Sequence, residues 1–72
     1  MNKYELVKFK NGKFGVRLTV KNYVLPDTKL FISKRGCECQ GKDVMDYCTM
    51  SEEEAKELLR SLDLFPEEVV NE

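Results

Sequence analysis

The 72-residue chain predicts an α+β domain: an antiparallel sheet of about four strands, opened by an N-terminal β-hairpin, with one C-terminal helix packed on one face. Three observations predict it. Asn11-Gly12 stands between two alternating runs, a strong short-range hairpin signal. Ser51 opens a capped segment whose apolar residues recur at helical spacing. Between them lie short apolar stretches punctuated by Pro26-Asp27 and Lys34-Arg35-Gly36, which read as turns.

The hairpin comes first. A two-residue type I′ loop needs φ > 0 at both central residues; Asn tolerates this and Gly has no Cβ to clash. With Asn11-Gly12 in that loop, Lys10 pairs with Lys13, Phe9 with Phe14, Val7 with Val16 and Glu5 with Leu18. The opposite face then pairs Lys8 with Gly15, Leu6 with Arg17 and Tyr4 with Thr19. This register predicts an apolar face of Val7, Phe9, Phe14, Val16 and Leu18, and a mixed, basic face behind it.

The first strand is expected over 4–10. The second begins at Lys13 and alternates through Phe14, Val16, Leu18 and Val20 toward Val24, bending near Lys21-Asn22. Lys29–Lys34 reads as a third strand, with Leu30 and Ile32 on one face and Phe31 and Ser33 on the other. Val44–Thr49 reads as a fourth, after a polar loop at 37–43; its pattern leaves the inward face open between Val44, Asp46 and Cys48 and Met45, Tyr47 and Thr49, and Met45 and Tyr47 are expected to help build the core. The sheet thus spans 4–50 of a single domain.

The helix is expected over 51–63. Ser51 and Glu54 make a capping box, and Met50 and Ala55 match a hydrophobic staple. Glu52, Glu53 and Glu54 complement the positive end of the helix dipole. Ala55, Leu58, Leu59 and Leu62 form one apolar stripe, whose natural partner is the apolar hairpin face. Residues 64–72 read as a tail. Pro66 suits the first position of one more helical turn, and Phe65 is either folded onto the core or an exposed anchor.

Composition bounds the function. With 42% hydrophobic and 35% charged residues, the chain is built to fold rather than to stay disordered. No window approaches the roughly 20 apolar residues of a membrane span. No signal-peptide pattern follows Met1. These point to a cytoplasmic protein with no membrane partner. A core this small makes a homodimer a natural reinforcement. The net charge of −1 hides an asymmetry: residues 1–36 carry nine Lys/Arg against Glu5 and Asp27, and residues 37–72 carry three against eleven acids. Two surfaces that complement each other explain this, as does a basic sheet face that meets a polyanion or an acidic protein.

Chemistry has little to stand on. There is no histidine, so the usual general base near neutral pH is missing. Glutamates on the helix read as a solvated face, and none of the four glycines precedes a helix as a phosphate loop requires. The reading is therefore not an enzyme, with no cofactor. Cys37, Cys39 and Cys48 are odd in number, and only Asp43 or Asp46 lies near enough to supply the fourth ligand that a structural zinc site wants; they read as free, reduced thiols. For binding, Lys8, Lys10, Lys13, Arg17 and Lys21 with Tyr4 and Tyr23 mark the candidate partner face. Leu6, Leu25 and Phe31 are expected on the same open side. Cations and aromatics serve protein hot spots, and they also track phosphates and stack on bases, so a nucleic-acid-binding module is the alternative. Lysines on hairpin tips also guard sheet edges against aggregation.

The run Lys3-Tyr4-Glu5-Leu6-Val7-Lys8-Phe9-Lys10-Asn11-Gly12-Lys13-Phe14-Gly15-Val16-Arg17, followed by Ser51-x-x-Glu54-Ala55, resembles small uncharacterised proteins encoded by bacteriophages and other mobile elements. The likeness covers the hairpin and the helix start. It implies a viral protein that binds and inhibits a host or defence-system protein by steric occlusion, as anti-CRISPR and other anti-defence inhibitors do, in the host cytoplasm.

Overall fold

The computed structural model describes residues 2–65 and 68–72. Seven elements follow one another: β1 (Asn2–Lys8), β2 (Phe14–Val20), β3 (Thr28–Ile32), β4 (Glu38–Cys39), α1 (Asp43–Tyr47), α2 (Glu52–Ser61) and β5 (Val69–Asn71). The sheet has five strands in the order β4-β3-β2-β1-β5. It is antiparallel except that β5 returns parallel to β1. The α+β class stands, with a mixed sheet and a second, short helix.

The hairpin forms one register away from the expected one. Phe9 N–H donates to Lys13 C=O at 2.8 Å and Gly12 N–H to Phe9 C=O at 3.0 Å, which closes a three-residue loop over Lys10, Asn11 and Gly12. Only Gly12 takes the left-handed region, at φ 86°, as a type I turn followed by a G1 bulge requires. Asn11 Oδ1 accepts from Lys13 N–H at 2.9 Å and braces the turn. The pairs are therefore Leu6 with Val16, Tyr4 with Leu18, Val7 with Gly15 and Glu5 with Arg17. Expected partners such as Val7 with Val16 lie on opposite faces.

This register gives the sheet two apolar faces. On one, Leu6, Val16, Leu18 and Ile32 meet Met50, Ala55 and Leu59, with Tyr4, Phe14, Val20, Leu58 and Leu64 around them. On the other, Val7 is fully buried and Gly15 lies under Phe9 and the Cys48 backbone, while the Phe9 and Phe31 rings stand 5.3 Å apart. Leu30 and Ile32 share the α2 side, opposite Leu18 and Val16, as their alternation predicts.

Residues 43–47 form α1 rather than a fourth strand. Val44 and Cys48, one helical turn apart, are buried, while Met45 and Tyr47 are exposed instead of filling the core. A four-residue separation serves a helix face and an alternating strand face alike, so the spacing alone did not separate them. Cys39 and Cys48 are joined as a disulfide, and only Cys37 is free, which replaces the expectation of three reduced thiols.

The second helix follows its signals closely. Ser51 Oγ accepts from Glu54 N–H at 3.2 Å, and Glu54 Oε1 accepts from Ser51 N–H at 3.0 Å, completing the capping box. Met50, just before the cap, exchanges two 2.8 Å backbone hydrogen bonds with Phe14 and fixes the helix start over the hairpin base. The helix stops where Asp63 turns left-handed (φ 58°), with Leu64 N–H on Leu59 C=O and Asp63 N–H on Arg60 C=O. This is a Schellman ending, and Leu64 packs back on the core. Part of the expected tail is β5, continued by Glu72 N–H on Lys8 C=O at 3.0 Å. Phe65 is exposed. The further turn expected at Pro66 lies outside the described residues. Among the described residues, no helix is long and apolar enough to cross a membrane.

Candidate binding surface

The seven residues singled out from sequence do not share one face. Tyr4 and Lys8 lie on the α2 side of β1: Tyr4 is half-buried against the core, and Lys8 Nζ sits 5.9 Å from the centre of the Phe14 ring. Lys10 and Lys13 are exposed on the hairpin loop. Arg17 points to the opposite side of the sheet. Lys21 and Tyr23 belong to the β2–β3 loop at the far end of β2, a seven-residue strand that spans about 20 Å at some 3.3 Å per residue. The shifted hairpin register breaks the continuous basic face, because it parts Tyr4, Leu6 and Lys8 from Arg17. Leu6 is core, and Phe31 is half-buried beside Phe9, so neither lines an open surface.

Several of the charges have partners within the fold. Arg17, with its side chain only 12% exposed, reaches Glu5 Oε1 from both Nη2 (3.1 Å) and Nε (3.2 Å), and contacts Glu72 through Nη1. Lys34 Nζ meets Glu54 Oε2 at 2.6 Å. Arg17–Glu72 and Lys34–Glu54 each join the basic first half of the chain to the acidic second half, so part of the charge asymmetry is complementarity inside the fold. The Lys34 ammonium beside Glu54, with the Ser51 N–H and hydroxyl, lowers the carboxyl to about 2.

What stands free is the loop between β2 and β3. Tyr23, Val24 and Leu25 are 107%, 93% and 71% exposed. Below them the loop is clamped. Asn22 Nδ2 donates to Pro26 C=O at 2.9 Å and to Thr28 Oγ1 at 3.1 Å, and Lys21 Nζ meets Asp27 Oδ2 at 3.0 Å. The Lys21 ammonium holds the Asp27 carboxyl below its ordinary value. The register places Lys3 and Lys29 on either side of Thr19 at the same end of the sheet, both exposed. Three consecutive large apolar residues in water on a braced loop are costly unless something covers them.

The sequence named Tyr23 and Leu25 but treated them as part of a sheet face. The signal for a protruding tip was the Tyr-Val-Leu run itself, which breaks alternation immediately before Pro26. Among the described residues, no group of three or more Cys, Asp or Glu side chains is gathered for a metal ion. No protein-family model, curated protein or solved structure matches the chain.

Proposed function

We propose that this chain is a non-enzymatic binding protein that seats the Tyr23-Val24-Leu25 tip against another protein and occludes the surface it covers. The carrying observation is the exposure of that apolar run above a loop base held by Asn22, Lys21 and Asp27. A loop braced at its base has less conformational entropy to lose on docking, which favours a contact from few residues. Tyrosine is a common binding anchor, with a large apolar area and a polar end. Among the described residues, the Asp27 and Glu54 carboxyls are both lowered by lysines and serve the loop clamp and the helix cap, so neither is poised as a general acid. Inhibition of a host or defence complex, in the host cytoplasm, is the class of action that the phage resemblance brings to this reading.

The test is a pull-down from bacterial lysate at near-physiological salt, with and without nuclease, using wild type and a Tyr23→Ser/Leu25→Ser variant. The expected result is a protein retained by wild type after nuclease and lost by the variant, with identical melting curves because neither side chain is buried. Equal retention by both would remove the tip from the contact. Recovery of nucleic acid with a steep salt dependence would favour a nucleic-acid module centred on Lys10 and Lys13 instead.

A further inference from the structure

A free cysteine and a disulfide lie close in sequence at a place the binding reading leaves unused. Ser33 N–H donates to Cys37 C=O at 2.8 Å, which carries the β3–β4 ladder one position beyond Ile32–Glu38 and Phe31–Cys39. Alternate residues of an extended strand share a side, so Cys37 and Cys39 point the same way. Both line one open cleft of about 580 Å³. Cys37 is exposed and free, Cys39 is half-buried, and its disulfide partner Cys48 has no exposed surface.

Apart from the burial of Val44, the elements that this disulfide joins are short. The edge strand β4 has two residues and a neighbour on one side only. The helix α1 has five residues and no side-chain hydrogen bond at its N-cap, far below the length at which a helix persists by itself. Gly36 and Gly41, at φ 86° and 62°, bracket the segment that carries Cys37 and Cys39.

We propose that Cys37, Cys39 and Cys48 form one thiol–disulfide exchange site, in which Cys37 competes with Cys48 for Cys39 and exchange releases α1 from the sheet edge. Cys37 gives up its proton to water and, as thiolate, attacks Sγ of Cys39, the more exposed of the two bonded residues. A Cys37–Cys39 bond forms as the Cys39–Cys48 bond breaks. The electron pair leaves on Cys48 Sγ, which then takes a proton. One disulfide is lost and one is made, so no oxidant or reductant is consumed. Residues two apart on an extended strand stand about 6.6 Å apart, near the outer limit of disulfide geometry. Closing the new bond therefore draws β4 out of its extended form, and loss of β3–β4 pairing accompanies the release of α1.

The experiment uses the full chain, purified without reductant and held between about pH 6 and about pH 9, a range that spans ordinary thiol ionisation. Parallel samples contain a trace of a small thiol as exchange catalyst. Each sample is quenched in acidic denaturant, its free thiols are labelled, and the chain is cut after Glu38 and Lys42, which puts each cysteine on its own peptide. The expected label lies on Cys37 at the earliest times, and the share on Cys48 grows with time, faster at high pH and with the catalyst because the thiolate is the attacking species. Amide exchange over 43–48, read at one fixed pH after the incubation, rises with it, and a Cys37→Ser variant shows neither change. Label confined to Cys37 under every condition would overturn the proposal, as would three fully labelled cysteines in the starting protein.

Discussion

The ring of Phe9 lies against the bare α-carbon of Gly15: a β-carbon there would stand 2.8 Å from Phe9 Cε2 and 3.2 Å from the Cys48 carbonyl oxygen. A glycine in mid-strand normally weakens a sheet. Here it admits the ring that packs at a tilt against Phe31 and lets the backbone at Cys48 approach. Gly15→Ala is expected to lower stability by about 1–3 kcal/mol, the usual cost of overpacking. Denaturant titration measures it. Adding Phe9→Leu should recover part of the loss, because the two changes meet in one contact; strict additivity would show that the ring is not what the β-carbon strikes.

Arg17 is a fold residue before it is a binding residue. Its guanidinium is held between Glu5 and Glu72, largely out of solvent. Arg17→Glu would place three carboxylates together and is expected to cost about 1.5–3 kcal/mol, the scale of a hydrogen bond to a charged group. Lys13→Glu, on the exposed hairpin loop, should leave the melting temperature within error. Differential scanning calorimetry of the two variants checks both statements.

The Lys34–Glu54 pair, with the capping box, makes stability depend on pH in a defined direction. Glu54 is lowered from 4.5 to about 2 in the folded chain, so the unfolded chain binds the proton first as pH falls. The stabilisation is complete above the unfolded value and drains away between about 4.5 and about 2. Glu54→Gln preserves a capping side chain without its charge. Its melting temperature is expected to fall less steeply than wild type across that interval. Parallel slopes in thermal melts at stepped pH would mean that the Lys34–Glu54 pair contributes nothing.

Reduction should loosen the sheet edge. The Cys39–Cys48 bond closes a loop across a sequence separation of nine, for which chain entropy predicts about 2–3 kcal/mol. Dithiothreitol is therefore expected to lower the melting temperature of wild type and of Cys37→Ser alike. A Cys48→Ser variant should melt low with or without it.

Much of this fold was legible in the amino-acid sequence because its signals are local. Ser51, Glu54 and Met50 specify the start of α2 through hydrogen bonds and contacts within a few residues of one another. The turn at Asn11-Gly12 and the alternation of Leu30, Phe31 and Ile32 also announce themselves in short windows. Tyr23 and Leu25 were visible as candidate contact residues, but their setting was not. Nothing local distinguishes a residue on an open sheet face from one on a braced tip.

What only the tertiary structure decided are the choices to which local rules are indifferent. Asn-Gly satisfies a type I′ loop and a G1-bulge loop equally well, and the two differ by one residue in register. The bulged form prevails because Leu6 and Val16 can then share the α2 face while Val7 and Phe9 serve the other. A sequence read for one buried face does not foresee that second cover. It exists because 43–47 coil into a helix whose Val44 and Cys48 turn inward, with Cys48 bonded to Cys39. Residues 69–71 form a strand for a similar reason: Val69 and Val70 carry no helical or hairpin pattern, and the free edge of β1 supplies their partners from more than sixty positions away. The sequence by itself determined the α+β class, the hairpin and the capped helix; register, disulfide and fifth strand waited on long-range packing, because each is a contact between segments that no short window contains.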